Sequence, residues 1–483
     1  MIALAHEARR LFLTGGLFWG TLSGSAAPSG QYVGAAACAE CHREVHNKVR
    51  NTPHTRAFET LKNVHADKKA SCLPCHTVGY QLPTGFVSET ATPHLAGVQC
   101  ESCHGPSGNH AANPFDPINR PRASLAASIC GTCHNAEAVP AEALSFHRPY
   151  HEEWRASGHR AVTASLIDDF TNSVNSVANC GRCHSGSARD ALIKNDPLPF
   201  GQQALVGIAC ATCHDPHQKQ IWTNVLTGAR YTNQLRQAIT STNDFFLTTS
   251  DNFQAKYNPH INICAQCHNH RGAAWTETAR APHHSPQYNI LLGTVGVLPT
   301  GTRSGPAGHA GTRFLADRAG RLFGVTNQCV SCHVQKTEFR AGPPQIAPGG
   351  GHRFDVTTYE SCAGCHGTAA NAQGLVVFTS GVISNWIQQV KQVLDTWAAT
   401  KAPPGLYTTY GTRAWEYTTP GDLSPGGPGP SSAEQGLIPD NIKKARFNLY
   451  LVLYDGSFGT HNGPHATTLL ESAQNWVQEE LSR

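Results

Sequence analysis

The sequence predicts a mainly α-helical chain with extensive loops and few or no strands. A five-residue unit, C-x-x-C-H, occurs nine times between residues 38 and 366, and a short helix is expected after most copies. The stretches between copies draw on 45 glycines and 30 prolines, which read as loops. Past residue 366 the unit stops. Ile383, Trp386, Ile387, Val390, Val393, Leu394 and Trp397 then recur at intervals of three and four, the spacing of an amphipathic helix. Asn441 to Tyr454 reads as a second helix, and Pro464 can open a third running to about Leu481, because proline is tolerated in a first helical turn. Residues 419–431 form a loop or linker. Amphipathic stripes are usually core, so these tail helices are read as packing elements, and Trp386 and Trp397 as core side chains.

Composition narrows the class. The chain has 483 residues with a net charge of +4, too small and too mixed for binding nucleic acid through phosphate neutralisation. No apolar window reaches the length of a membrane span. Residues 1–27 resemble a secretory signal. Arg9 and Arg10 precede an apolar stretch from Leu11 to Leu22, and Ser25, Ala26 and Ala27 offer small residues for cleavage. Export to the periplasm or the cell exterior is therefore expected, with no membrane span after cleavage. Cysteines in such a compartment can form thioethers or disulfides.

The cysteines carry the chemistry. All 18 fall into the nine units, as Cys38/Cys41, Cys72/Cys75, Cys100/Cys103, Cys130/Cys133, Cys180/Cys183, Cys210/Cys213, Cys264/Cys267, Cys329/Cys332 and Cys362/Cys365. Disulfides and zinc ribbons do not require a histidine after every second cysteine. Covalent attachment of c-type haem requires the whole unit, because two thiols add across two vinyl groups and the next imidazole ligates the iron. Nine covalently attached haems are expected. Their proximal ligands are His42, His76, His104, His134, His184, His214, His268, His333 and His366. With about 51 residues per haem, the porphyrins must pack closely and replace much of an ordinary apolar core.

Met1 is the single methionine, so the exported chain cannot form a histidine/methionine site, and low potentials are expected. Seventeen histidines beyond residue 27 remain for at most nine distal positions. Residues 46–54 (HNKVRNTPH) and 151–159 (HEEWRASGH) repeat an H-x3-R-x3-H pattern, with a looser copy at 275–284. Residues 98–106 and 208–216 repeat as well. The chain accordingly divides into three tri-haem units, 28–128, 129–235 and 236–376, followed by a helical region at 377–483. On that register His54, His159 and either His283 or His284 are equivalent distal candidates, with His46 and His151 next. His94, His110, His217, His260, His270 and His352 lie beside units, where a short turn can return an imidazole to a neighbouring haem, and His461 and His465 lie in GTHNGPH near the C-terminus. His65 and His147 are read as non-ligands.

Three passages, YVGAAACAECH (32–42) with NTPHTRAF (51–58), CLPCHTVGY (72–80) and GVQCESCHGPSGNH (97–110), resemble the cytochrome c-554 family of multihaem cytochromes. The tail at 445–465 is similar to pentahaem nitrite reductases and related octahaem enzymes, and that likeness implies a distal-ligand role for His461 beside Asn462. Together the resemblances imply a multihaem cytochrome c fold with haems in stacked and near-perpendicular pairs. Carried over from the tetrahaem relatives, they also imply an open iron at Cys72, Cys75 and His76.

The first functional reading is an exported electron carrier that stores and conducts electrons at low potential between redox partner proteins, or between copies assembled end to end. The alternative is a multihaem oxidoreductase acting on nitrite, hydroxylamine or a similar small nitrogen or sulfur compound at one open iron. Coordination discriminates between them.

Overall fold

The computed structural model describes residues 30–483 apart from 137–138, 140–142, 144–146, 224–229, 237–262, 303, 306, 311–314, 317–321, 324–328 and 341–347. The signal segment and His260 lie outside the described residues.

Each C-x-x-C-H unit folds as roughly one helical turn. Residues three and four apart share a helix face, so this turn brings both thiols and the imidazole to one side. The His42 N–H donates to the Cys38 carbonyl at 2.8 Å, and the same bond closes Cys130–His134, Cys210–His214 and Cys264–His268 at 2.8–2.9 Å. Helices Leu73–His76, Cys100–His104, Cys329–His333 and Ala363–His366 are no longer than the unit itself. The fifth unit instead ends a longer helix, α1 (Val174–His184), whose Ser173 hydroxyl caps it by accepting from the Ser176 N–H. Helix α2 (Gly186–Lys194) follows, capped in the same way by Ser185.

Loops are fixed by buried polar anchors rather than by apolar mass. Glu101, inside the third unit, is 2% exposed. Its carboxylate accepts from the N–H groups of Val33, Gly34 and Ser107 at 2.8–3.2 Å, which pins the first unit against the third. Gly34 lies at φ 78, and a Cβ there would come within 2.9 Å of the His94 carbonyl oxygen. This position needs glycine for both reasons.

Strands are few, as expected. Among the described residues they are the antiparallel pairs β1 (Gln220–Thr223) with β2 (Arg230–Asn233) and β3 (Leu315–Ala316) with β4 (Leu322–Phe323).

The ordinary apolar core is concentrated at the C-terminal end. After the short helix α3 (Gln287–Leu292) come α4 (Ala369–Thr400), α5 (Asp440–Asp455) and α6 (Gly463–Ser482), matching the three helices read from spacing. The stripe Ile383, Ile387, Val390, Leu394 and Trp397 is at most 2% exposed and packs with Leu449, Leu451, Leu469, Leu470 and Val477. Asn462 caps α6 by accepting from the His465 N–H. Its amide also donates to the carbonyls of Ile290 and Gly305 at 3.1 and 3.0 Å, joining the bundle to the haem-motif region. The 419–431 loop is tied in by bonds from Gln435 to Pro430 and from Arg413 to Pro428. Arg446, fully buried, donates to the Trp415 and Glu416 carbonyls and to the Gln435 amide oxygen at 2.6–2.9 Å, and lies 4.1 Å from the Tyr417 ring centre.

Leu449 is fully buried in this bundle. Replacing it with alanine is expected to cost about 2–5 kcal/mol, through lost transfer energy and the cavity left behind. Denaturant unfolding followed by far-ultraviolet circular dichroism checks this.

Candidate haem-binding sites

Every motif histidine faces a second imidazole. Two nitrogens each about 2 Å from a shared metal, and each ~1 Å from its own ring centre, would put the ring centres about 6 Å apart. The observed centre-to-centre distances are 6.3 Å for His42–His110, 6.3 Å for His76–His147, 6.1 Å for His104–His217 and 6.0 Å for His134–His54. They are 5.8 Å for His184–His283, 6.1 Å for His214–His352 and 6.2 Å for His268–His159. The last two pairs, His333–His461 and His366–His309, are both at 6.1 Å. Nine motif histidines thus meet nine different partners, with no imidazole shared.

The chain orients these rings through the nitrogen that faces away from the gap. Nδ1 bonds a backbone carbonyl in His76 (Ala57, 2.8 Å), His104 (Arg122, 2.6 Å), His333 (Phe354, 2.9 Å), His147 (Ala143, 2.9 Å) and His352 (Gly350, 3.1 Å). His283 Nδ1 meets the Ser285 hydroxyl at 3.0 Å, and His461 Nδ1 meets the Asp455 carboxylate at 2.7 Å. A carbonyl or carboxylate accepts only from N–H, so these bonds place the proton on Nδ1 and leave Nε2 as a lone pair.

Burial supplies the right charge state. Desolvation lowers His134, His159 and His214 to about 4, and His283 to about 3, with neighbouring positive groups adding to the effect. These rings are neutral donors at neutral pH. Burial acts in the same direction on His461, but the Asp455 carboxylate outweighs it and the pKa is raised.

The motif cysteines complete a fit to c-type haem. All eighteen are unbridged. One cavity of about 1970 Å3 runs past the histidine pairs of units four to nine, well beyond the roughly 300–1,000 Å3 of a single small-ligand pocket. Cysteines of different units also stand beside one another. Hydrogen bonding raises the Cys38 thiol against Cys100, Cys75 against Cys133, Cys130 against Cys210, Cys183 against Cys267 and Cys264 against Cys329, with burial acting in the same direction. The Cys183 thiol donates to the Gln266 carbonyl and the Cys267 thiol to the Arg182 carbonyl, so units five and seven interlock reciprocally. Burial, and then Cys130 and Cys133, raise Cys103 to about 11, while Cys332 rises to about 11 through burial and Cys362. Burial raises Cys213 to about 11, and its charge in turn bears on Cys264 and Cys267. The sites therefore run 1–3–4–6–7–8–9, with site 2 beside 4 and site 5 beside 7.

The structure places several histidines differently from the register read in the sequence. His147, read as a non-ligand, stands over His76 at the site expected to be open. His309, which was not singled out, stands over His366. His283 faces His184, whereas His284 stacks on Tyr454 with ring centres 3.7 Å apart. His283 is thus not the counterpart of His54 and His159, which face the first histidines of the following units. His94 joins no motif pair among the described residues, and neither does His46. His151 stacks on Trp154 instead, and His465 bonds Ser304 and the Val295 carbonyl. Nothing local in the sequence marks His147 or His309, since each is brought to its partner by residues far along the chain.

A chain built this way is a multihaem c-type cytochrome. More particularly, residues 37–105 and 129–215 match the family described as cytochrome c554 and c-prime. Cytochrome c-554 of Nitrosomonas europaea is 31% identical over 156 residues, 26% of this chain and 66% of that protein. The C-type polyheme cytochrome OmcB of Geobacter sulfurreducens is 25% identical over 311 residues, 58% of this chain and 37% of that one. The chain thus spans less than two thirds of the length of these relatives. Outer Cell Wall Cytochrome OcwA shares the fold with a TM-score of 0.53 at 18% identity, covering 92% of this chain and 100% of that one. The expected nitrite-reductase likeness of the tail is only weakly supported.

Two outcomes follow from the pairs. His147→Ala is expected to leave His76 unopposed, giving one high-spin signal in electron paramagnetic resonance that cyanide abolishes. Acid should also loosen the fold. Unfolded imidazole takes up a proton near pH 6.5, whereas His134, His159 and His214 resist protonation to about 4. The unfolded state binds more protons between those values, so stability falls as pH drops from 6.5 toward 4. A pH titration of thermal unfolding measures this.

Proposed function

We propose that this chain carries nine haems, each held between two histidines, and works as an exported low-potential electron conduit between redox partners. The observation that carries the reading is the set of nine separate imidazole pairs at 5.8–6.3 Å, each beside its own cysteine pair. Bound haem supplies one-electron iron chemistry. The chain's residues supply placement. The thiols of each unit fix one macrocycle edge, the two imidazoles fix its plane, and the contacts between cysteines of successive units hold neighbouring planes together.

Low potential is supported by the ligand inventory, since no methionine beyond Met1 is present and histidine pairs replace it. Units one and nine end the row, and their Cys41 and Cys365 are exposed, as is Cys103 of unit three, which suits exchange with partners at these points. Export is supported by residues 1–27, and an extracellular position by the likeness to an outer cell wall cytochrome. No helix among the described residues is long and apolar enough to cross a membrane. Substrate chemistry at an open iron finds no support in the geometry, because each motif histidine has an opposing ring.

Intact mass and pyridine haemochrome analysis of matured protein should give nine haems. Paramagnetic resonance of the oxidised form should show low-spin signals unaltered by nitrite or cyanide. A high-spin signal that nitrite removes would overturn the carrier reading in favour of the oxidoreductase.

A further inference from the structure

The segment Tyr454–His461 touches three successive sites. The Tyr454 and Asp455 carbonyls accept from the Gln287 amide at 3.2 and 3.3 Å, and the Gln287 carbonyl oxygen lies 3.4 Å from His268 Nδ1 of site seven. His461 is the ring opposite His333 at site eight. The Thr460 carbonyl lies 3.4 Å from Nδ1 of His309, at site nine.

Within this segment the Asp455 carboxylate stands apart from the other ring anchors. Its side chain is 2% exposed, and Oδ1 accepts from His461 Nδ1 at 2.7 Å. Oδ2 accepts from the Ser457 hydroxyl, and the same hydroxyl accepts from the His461 N–H at 3.0 Å. The other nearby carboxylate, Asp215 at His217, is 3.9 Å away, beyond a hydrogen bond. Among the described residues the other Nδ1 hydrogen bonds of paired histidines are to neutral oxygens. Among the described residues Asp455 has no lysine or arginine within ion-pair distance. A buried carboxylate held only by an imidazole N–H and a hydroxyl is costly, and an iron held at Nε2 of His461 would offset that cost. A carboxylate behind a ligating imidazole also makes that ring a stronger electron donor.

We propose that Asp455 is a positioning residue that strengthens electron donation by His461 and thereby lowers the reduction potential of site eight, which lies between sites seven and nine. The inference rests on the histidine-pair reading given above. Ser457 works against it, since its hydroxyl spreads the charge of Asp455 away from the ring.

Three variants of the full haem-loaded protein test this by spectroelectrochemistry and paramagnetic resonance, each first checked for nine haems. Asp455→Asn should shift one of the nine reduction steps upward and change the g-values of a single low-spin signal, leaving the others in place. Ser457→Ala should move that same step downward. His461→Ala should open one high-spin site. Unchanged potentials in Asp455→Asn, or shifts of one sign in both variants as general loosening would give, overturn the role of Asp455. If His461→Ala yields no high-spin signal, the ligand pairing itself is wrong.

Discussion

The gap between two imidazoles, wide enough for one iron and repeated nine times, is the constraint on which the rest of this molecule depends. Holding two rings about 6 Å apart means keeping both neutral and both oriented, because a protonated ring cannot donate a lone pair and a freely rotating one rarely points at the metal. Burial does the first, as the depressed values at His134, His159, His214 and His283 show. Nδ1 bonds to backbone carbonyls do the second. Local backbone serves ring orientation: the helix start at Ala57 and the loops at Arg122 and Phe354 each present a carbonyl to a ring.

The pairs also determine how the chain is knitted. Through their partners, His54, His147 and His217 join residues 28–128 to 129–235, and His159, His283 and His352 join 129–235 to 236–376. His42–His110 and His366–His309 stay within one stretch, and His333–His461 reaches the C-terminal bundle. Each repeat is thus completed by its neighbour, and a ligand set cannot close until distant segments have met. Such long-range closure costs loop entropy. Covalent anchoring of each macrocycle by two thiols offsets part of it, by restricting the segments before their partners arrive.

The C-terminal bundle is the part stabilised in the ordinary way, by stripes of Ile, Leu, Val and Trp packed out of water. Its place in the design is to hold the α5–α6 turn still. Asn462 caps α6 and grips the Ile290 and Gly305 carbonyls, so the adjacent His461 and Asp455 are presented to site eight by a rigid element. The amphipathic helices read from spacing therefore serve the haem row indirectly, as its buttress.

Local chemistry was legible in the amino acids alone. The nine cysteine pairs, the proximal histidines, the three tail helices and the exclusion of methionine ligation all follow from residue type and short spacing, since a C-x-x-C-H turn or an amphipathic stripe is specified within a few residues. Ring partners were suggested by an internal repeat or a neighbouring unit for His54, His159, His110, His217 and His352, and by the resemblance of the tail for His461. Only the tertiary structure brings His147, His309 and His283 opposite motif histidines. A second ligand is selected by which distant ring arrives across a gap with its Nδ1 already held, and one sequence carries no direct record of that meeting.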